Sequence, residues 1–384
     1  MLSDAQAEHG ARVHEHLAQR IAASGGWVSF EQFMQAALYE PGLGYYSAGS
    51  HKLGAGGDFT TAPETSRLFG ACIARQCAEI LSALGGGSIL EIGAGSGRLA
   101  ADVLSRLDSL GALPDRYWIL DISADLRERQ RRRIARCPPH LAQRVGWLEG
   151  PPAEPFDGVI LANEVLDALP IIRFRWFRDR VEELGVGIGE GRFLWKPRAA
   201  SVEVAAACAR LAAAGGGWED GYVSEYCPRL TAWTHGVTRP LRAGAALWLD
   251  YGLPRSQYYL PERHEGTLAC HFQQRAHGDP LVRPGLQDIT AWVDFTLLAE
   301  ASRDAGFTLG GFATQSHFLA GLHIDQEMQI IAGGDGSEFA RLAGEARRLL
   351  MPGEMGERFK AMAWLRGVAP PLSGFALQDL RHTL

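Results

Sequence analysis

Three alternating glycines directly follow a short apolar run in the stretch Ile89-Leu-Glu-Ile-Gly-Ala-Gly-Ser-Gly-Arg-Leu99. Glycine tolerates left-handed backbone conformations and lets another molecule approach the main chain closely. The apolar run predicts a buried strand, and a helical pattern follows the glycines. We therefore expect a sharp strand-to-helix turn against which a ligand binds. A tight turn without any ligand is the alternative interpretation.

The sequence around this turn alternates between strand and helix patterns over residues 88–162. The predicted strands are "SILEIG", "RYWILDIS", "RVGWLE" and "FDGVILAN". Strands separated by helices require crossover connections, so the pattern predicts an α/β fold with a mostly parallel sheet. The segment "GAALWLDYG" (244–252) continues this sheet, and segments at 308–314 and 358–367 could complete it.

The flanking regions follow other patterns. Residues 3–24 and 28–39 predict two helices, the second with Ser29 as its N-cap, and Thr61 is the predicted N-cap of a helix over 63–84. Residues 171–197 predict antiparallel hairpins. The predicted domains are an N-terminal helical extension with a cofactor lid (1–84), a core (85–170 and 244–384), and an inserted α+β substrate-side subdomain (171–243).

The glycine spacing separates the cofactors that such a turn can hold. A dinucleotide fingerprint needs a third glycine where this chain has Arg98, and a phosphate-binding P-loop needs a Gly-Lys-Ser/Thr sequence that does not follow. The pattern of Glu91, Gly93, Gly95 and Gly97 instead resembles motif I of class I S-adenosylmethionine methyltransferases. Glycines there allow the backbone to approach the methionyl and ribose portions of that cofactor, which carries no phosphate.

The ends of the next predicted strands supply further candidate cofactor residues. Asp121 ends "YWILD", where a carboxylate can accept hydrogen bonds from both ribose hydroxyls. Ile122 follows it, and Leu148 ends the third strand as a possible apolar wall for the adenine. Asn163 ends the fourth strand and is included in the cofactor site. For Asp121, an ordinary exposed acid at a strand end is the alternative.

Two acids follow the fourth strand in "GVILANEVLDALP". Ligands of open α/β sheets bind at the carboxyl edge of the strands, so Glu164 and Asp167 are the candidate catalytic residues. Paired carboxylates can orient a guanidinium and accept its proton. The alternatives are that Asn163 caps the next turn and that either acid faces solvent.

One family resemblance connects stretches over nearly the whole chain. They are "YEPGLGYY", "GGDFTTAPETSRLFG", "ILEIGAGSGRLAADVL", "LDISADLRERQ", "ANEVLDALP", "LWLDYG", "GDPLVRPGLQDITAWVDF", "TQSHFLAGLHI" and "MGERFKAMAW". Together they resemble the MidA family, which includes the mitochondrial complex I assembly factor 7 type of protein arginine methyltransferase. "GGDFTTAPE" and "ANEVLDALP" are the most specific of these stretches.

The resemblance implies a class I methyltransferase core with a Rossmann-like sheet, which uses S-adenosylmethionine and carries extra N-terminal helices. It also implies a protein substrate, namely an arginine of a complex I core subunit in the mitochondrial members. Asp58, Phe59 and Thr60 would form part of a lid over the cofactor, although a capping loop is the alternative. A non-catalytic assembly factor and a nicotinamide-dependent oxidoreductase are the competing functions.

The net charge of −6 does not indicate a nucleic-acid partner, which usually binds a basic domain. Neither a run of 18 apolar residues nor a charged-then-apolar leader occurs in the sequence. We therefore expect neither a membrane span nor secretion, and we predict a cytoplasmic location. His271, His277 and Asp279 lack the spacing of metal ligands on a helix, so we expect no metal site.

Overall fold

The computed structural model of the chain describes residues 2–48, 61–214 and 217–384. Its helices are α1 (Asp4–Ala23), α2 (Phe30–Tyr39), α3 (Ala62–Thr65), α4 (Arg67–Leu84), α5 (Arg98–Ser109), α6 (Ala124–Ile134), α7 (Pro139–Ala142), α8 (Val202–Ala214), α9 (Leu230–Thr238), α10 (Arg255–Tyr258), α11 (Phe295–Asp304), α12 (Gln315–Gly321), α13 (Ile324–Ala332) and α14 (Gly336–Leu350). Short 3₁₀ helices cover Ser373–Phe375 and Arg381–Thr383.

The strands are β1 (Ser88–Ile92), β2 (Tyr117–Leu120), β3 (Val145–Leu148), β4 (Phe156–Asn163), β5 (Ile172–Trp176), β6 (Val181–Gly189), β7 (Arg192–Ala199), β8 (Val223–Tyr226), β9 (Leu241–Leu253), β10 (Ala269–Phe272), β11 (Arg275–His277), β12 (Asp288–Thr290), β13 (Val293–Asp294), β14 (Thr308–Thr314) and β15 (Phe359–Arg366). The predicted alternation of strands and helices over 88–162 is confirmed.

Serine N-caps mark the starts of α2 and α4, whereas the cap predicted at Thr61 is not formed. Ser29 caps α2 in a capping box with Gln32, as predicted. The expected single helix over 63–84 with Thr61 as its cap is wrong. Thr61 makes no capping bond, and Ser66 adopts an extended conformation that separates α3 from α4. The Ser66 hydroxyl accepts the Leu68 N–H and so caps α4 instead.

The chain packs as two compact units. The hairpin unit comprises Met1–Phe59, Asp167–Thr231 and Leu253–Leu297, and the sheet unit comprises Thr60–Leu166, Ala232–Gly252 and Leu298–Leu384. These ranges describe packing, and the predicted domain boundaries at residues 84, 170 and 243 stay predictions.

The hairpin unit contains two antiparallel sheets with strand orders β7-β6-β5-β8 and β11-β10-β12. Helices α1 and α2 pack against β6, and α2 also contacts β5. Their buried faces contribute Val13, Leu17, Phe30 and Phe33 to one apolar core. The antiparallel hairpins predicted over 171–197 are confirmed.

The sheet unit is built around strands in the order β14-β15-β9-β4-β1-β2-β3. All neighbouring pairs from β9 to β3 are parallel, whereas β15 runs antiparallel to both β9 and β14. β1 is buried at all of its positions, which is typical of a parallel sheet covered by helices on both faces. The antiparallel β15 distinguishes this sheet from the all-parallel order 3-2-1-4-5-6 of dinucleotide-binding folds.

The register of the parallel strands sets their carboxyl ends at one edge of this sheet. Ile92 pairs with Leu120 on β2 and with Ala162 on β4, and Leu120 pairs with Leu148 on β3. The chain order reverses between β1 and β4, because β2 and β3 lie on one side of β1 and β4 lies on the other. Open α/β sheets bind ligands outside the carboxyl ends at such a reversal. The fold therefore selects the residues after β1, β2 and β4 as its candidate site.

Among the residues that the structure describes, no helix combines the length and the apolar character needed to cross a membrane.

Candidate functional site

The glycine turn after β1 has a backbone that side chains would disturb. Gly93, Gly95 and Gly97 have φ of 66°, 54° and 78°, a left-handed region that residues with a Cβ seldom adopt. A Cβ on Gly93 would lie 2.9 Å from Cγ2 of Val165, and one on Gly97 would lie 3.1 Å from Cα of Gln130. The turn therefore requires glycine for conformation and for close packing, and α5 begins immediately after it at Arg98.

Glu91 precedes the turn and lies in the interior of the sheet unit, with 2% of its surface exposed. Its Oε2 accepts a hydrogen bond of 2.8 Å from the Tyr117 hydroxyl on β2. The pKa of Glu91 is raised to about 8, chiefly by burial; the Tyr117 hydrogen bond lowers the pKa in part, and the nearby charge of Asp121 raises it. Glu91 is therefore mostly protonated at neutral pH, and its role in cofactor binding stays a prediction.

The raised pKa of Glu91 predicts a pH-dependent free energy of unfolding. The unfolded chain loses this proton near pH 4.5, whereas the folded chain keeps it to about pH 8, so the stabilisation is complete below pH 4.5 and is lost as the pH rises toward 8. Glu91→Gln keeps the acceptor for Tyr117 without a titrating proton. We expect urea unfolding to show that the free energy of unfolding of this variant, relative to that of wild type, rises by a few kcal/mol between about pH 5 and pH 8. One pKa unit is worth about 1.4 kcal/mol.

Tyr117→Phe serves as the second variant for this measurement, because it removes the hydrogen bond that lowers the pKa of Glu91. Its pH-dependent loss of stability should begin at the same pH as in wild type and extend to higher pH. Parallel pH profiles for wild type and Glu91→Gln would contradict the assignment of a neutral buried Glu91.

Asp121 follows β2 and is held by a network that includes a residue absent from the sequence-based site. Its Oδ1 accepts the Ser123 N–H at 2.9 Å, and its Oδ2 accepts Nε2 of Gln130 at 2.8 Å. Gln130 also donates to the carbonyl oxygen of Gly95 at 3.0 Å, and its Oε1 accepts the Trp147 indole N–H at 3.1 Å. Gln130 therefore joins the glycine turn, Asp121 and β3.

The sequence carried a signal for Gln130. It lies between Leu126 and Ile134 at intervals of four residues, so all three share the buried face of α6, and Gln130 is fully buried. A buried polar side chain on an apolar helix face needs partners, and here those partners are the candidate site residues.

Apolar side chains lie beside this network. Ile122 exposes 65% of its surface directly after Asp121, and Leu148 is half-buried at the end of β3. A large exposed apolar side chain next to a buried carboxylate suits a ligand that combines a ring with a hydroxylated sugar. Both residues remain candidates for contact with an adenosine.

Glu164 follows β4 in a strained conformation, with φ of 54° for a residue that carries a side chain. Its backbone N–H donates to the Leu249 carbonyl at 2.8 Å. Its Oε1 accepts the Ala62 N–H and Nδ2 of Asn163, each at 3.1 Å. These bonds fix the direction of the Glu164 carboxylate at the sheet edge.

Asn163 provides evidence that this edge is made for a ligand. Its Nδ2 is committed to Glu164, which sets the orientation of the amide. Its Oδ1 is buried and accepts no hydrogen bond from the described part of the chain. Buried acceptors in folded proteins are normally satisfied, so a bound molecule with an N–H or O–H group fits this position.

Asp167 belongs to the hairpin unit and is 6% exposed. Its backbone oxygen accepts the Ala291 N–H at 2.9 Å. In the same unit, the Tyr46 hydroxyl donates to Oδ1 of Asp288 at 2.8 Å. Burial raises the pKa of the Tyr46 phenol well above its usual value, and the charges of Asp288 and Asp167 add to this shift. Asp167 is therefore a buried acid near a neutral tyrosine.

The structure thus brings Glu91, the glycine turn, Asp121, Asn163 and Glu164 together in the sheet unit. Asp58, Phe59 and Thr60, the predicted lid residues, lie outside the described residues. The residues present fit S-adenosylmethionine: an open glycine backbone, an acid at the end of β2, an exposed apolar side chain beside it and a buried acceptor at the end of β4. Among the described residues, no group of three or more His, Cys, Asp and Glu is placed to hold a metal ion.

Comparison with known families gives a match over the part of the chain that carries the candidate site. A family model described as "Putative S-adenosyl-L-methionine-dependent methyltransferase" matches residues 72–313. That span includes the glycine turn, Asp121, Asn163 and Glu164, and it reaches into both units.

Two similar relatives are proteins named protein arginine methyltransferase NDUFAF7, mitochondrial. The one from Danio rerio is 31% identical over 397 residues, which cover 90% of this chain and 85% of the relative. The one from Homo sapiens is 26% identical over 390 residues, which cover 91% of this chain and 82% of the relative.

A solved structure from Burkholderia thailandensis shares the whole fold and holds S-adenosyl-homocysteine. It is 40% identical to this chain with a TM-score of 0.95, covering 100% of this chain and 99% of that one. A second structure from the same organism is also 40% identical, with a TM-score of 0.92. S-adenosyl-homocysteine is what remains of S-adenosylmethionine after its methyl group has been transferred.

Proposed function

Because the chain belongs to the family of S-adenosyl-L-methionine-dependent methyltransferases, we propose that it methylates an arginine side chain of a protein. The predicted Rossmann-like methyltransferase fold and its cofactor are confirmed by the family match and by the solved structure with S-adenosyl-homocysteine. An oxidoreductase reaction with a nicotinamide cofactor has no such support. The names of the relatives support arginine as the methyl acceptor.

The observation that carries the proposal is the Glu164 carboxylate, which is fixed at the end of β4 by two N–H donors on a strained backbone. Arginine keeps its positive charge under all ordinary conditions, so an enzyme that methylates it must bind a cation and then remove a proton. A carboxylate forms charge-assisted hydrogen bonds with the planar guanidinium and can accept that proton. Glu164 serves both purposes in the proposed reaction.

S-adenosylmethionine supplies an electrophilic methyl group on its sulfonium sulfur. The residues of this chain supply alignment, since displacement at carbon requires the attacking nitrogen to lie in line with the bond that breaks. Well-oriented reactants gain roughly 7–11 kcal/mol over free encounter. The fixed direction of the Glu164 carboxylate provides this orientation for the guanidinium, and the glycine turn provides it for the cofactor.

Asp167 is the second acid of the proposal. It is 6% exposed and belongs to the hairpin unit. Its catalytic role stays a proposal from the sequence, and it rests on the stronger attraction between a carboxylate and a cation in a low-dielectric environment.

The acceptor can be identified by supplying tritium-labelled S-adenosylmethionine and purified enzyme to a lysate from cells that lack this gene. We expect label on a few proteins and, after acid hydrolysis, in methylated arginine. Mass spectrometry of the labelled bands then gives the sequence position. Label in another amino acid would contradict arginine specificity, and absence of label with every lysate fraction would favour the non-catalytic assembly factor.

We further propose a core subunit of respiratory complex I as the acceptor, as the motif resemblance of the sequence implies. The same lysate experiment tests this, because the labelled band must then comigrate with a complex I subunit. The cytoplasmic location predicted from the sequence also stays a proposal, and the two relatives described above are mitochondrial proteins by name.

A further inference from the structure

Asp250 is a buried acid near the carboxyl end of β9 that the proposed function has not used. It is 1% exposed, and it lies one residue beyond Leu249, which pairs with Asn163 of β4. Asp250 therefore stands at the same sheet edge as Glu164, on the neighbouring parallel strand. A buried carboxylate destabilises the fold unless it is paired or hydrogen-bonded. The hydrogen-bond partners of Asp250 therefore indicate which part of the structure it stabilises.

Those hydrogen bonds converge on the turn that carries Glu164. Oδ2 of Asp250 accepts the N–H of Val165 at 3.1 Å and that of Leu166 at 2.9 Å. Oδ1 accepts the N–H of Tyr251 at 2.9 Å, which fixes the rotation of the carboxylate. One side chain thus holds the two peptide groups that directly follow Glu164.

The backbone at Glu164 needs such support. Its φ of 54° lies where a side chain costs about 1–3 kcal/mol, and the strain persists only where surrounding bonds determine the conformation. The Leu249 carbonyl accepts the N–H of Glu164, and the Asp250 carboxylate accepts the N–H groups of the two residues that follow. Both partners come from consecutive residues of β9.

The same turn also touches the cofactor loop. Val165 packs against Gly93 so closely that a Cβ there would lie 2.9 Å from its Cγ2. We infer that Asp250 is a positioning residue for methyl transfer: it holds the 164–166 turn in its left-handed conformation, which aims the Glu164 carboxylate at the acceptor and seats Val165 against the glycine turn. This inference rests on the proposed role of Glu164.

The experiment compares wild type, Asp250→Asn and Asp250→Ala by crystal structure with S-adenosyl-homocysteine and by initial rates of label transfer to lysate protein. In Asp250→Ala we expect the φ of Glu164 to become negative. We also expect kcat to fall about 100-fold, since a misplacement of about 1 Å costs that much, while KM for S-adenosylmethionine changes less than about fivefold. Asp250→Asn should fall between the two, because its amide oxygen can still accept an N–H.

Asp157 provides the matched control. It lies on the same pair of strands at their opposite end, where it pairs with the exposed Arg242, so Asp157→Asn removes a carboxylate far from the edge that carries Glu164. Its kcat should match wild type. Thermal unfolding and S-adenosyl-homocysteine binding identify variants that fold poorly.

A double-mutant comparison distinguishes an effect of Asp250 on the position of Glu164 from a general effect on the stability of the fold. If Asp250 acts through Glu164, the variant with both Asp250→Asn and Glu164→Gln should be as slow as Glu164→Gln alone. Rate losses that multiply would overturn the inference, and so would a left-handed Glu164 in the Asp250→Ala crystal. Label on a residue other than arginine would overturn the proposed acceptor but not this inference, because the crystal structures decide it separately.

Discussion

Gly95→Val is expected to weaken S-adenosylmethionine binding by at least about 100-fold and thereby to abolish methyl transfer. Gly95 has φ of 54°, and its carbonyl oxygen is held by Nε2 of Gln130, so the main chain cannot readily rotate to relieve a side chain. A β-branched residue in this region is both strained and bulky where the turn must remain open. Isothermal titration with S-adenosyl-homocysteine measures the loss.

The control is a Gly→Val substitution at a glycine that has a similar positive φ but lies outside the candidate site. Gly111 has φ of 66°, is exposed, and has no atom within 4 Å of a Cβ placed on it. Gly111→Val should therefore lose stability as Gly95→Val does but keep its affinity for S-adenosyl-homocysteine. Unchanged affinity in Gly95→Val would remove the glycine turn from the cofactor site.

Glu164→Gln is expected to lower kcat by about 10³-fold while leaving S-adenosyl-homocysteine affinity within a few-fold of wild type. The amide keeps an oxygen for the Ala62 N–H and the Asn163 amide, so the geometry at the end of β4 survives. It cannot accept a proton or balance the guanidinium charge, and loss of a general base costs about 10²–10⁴ in rate. Single-turnover label transfer at saturating cofactor measures the effect.

Two further variants make this result specific. Glu128→Gln removes a charge from an exposed residue of α6 that pairs with Arg132, and it should transfer methyl groups at the wild-type rate. Glu164→Asp keeps a carboxylate on a shorter side chain and tolerates the left-handed backbone, so it should recover part of the lost rate. Full activity in Glu164→Gln would exclude Glu164 from catalysis.

Features with a local physical origin were accessible from the sequence. The strands and helices over 88–162 follow from hydrophobic periodicity, which depends only on neighbours along the chain. Ser29 caps α2 for the same reason, since its partner Gln32 is three residues away. The prediction that Thr61 caps the helix over 63–84 was wrong, although Thr61 has the capping sequence pattern. The chain is extended at Ser66, between α3 and α4, and Ser66 caps α4.

Much of the site depends on residues that are distant in sequence. The sequence shows Gln130 only as a polar residue on the apolar face of a basic helix, whereas in the fold its side chain connects Gly95, Asp121 and Trp147. The neutral state of Glu91 follows from burial beside Tyr117, which no local pattern reveals. Asp250 reaches the turn after Glu164 only because β9 pairs with β4, a contact between strands that lie far apart along the chain.

The sequence by itself determined that a glycine turn must follow a buried strand, that a dinucleotide does not suit it, and that acids end the neighbouring strands. These conclusions depend on the backbone freedom of glycine and on periodicity, both local properties. Only the tertiary structure decided which donors hold each acid, because hydrogen bonds and burial arise where separate strands meet at one edge. The strained backbone of Glu164 belongs to this second group, since β9 supplies the bonds that maintain it.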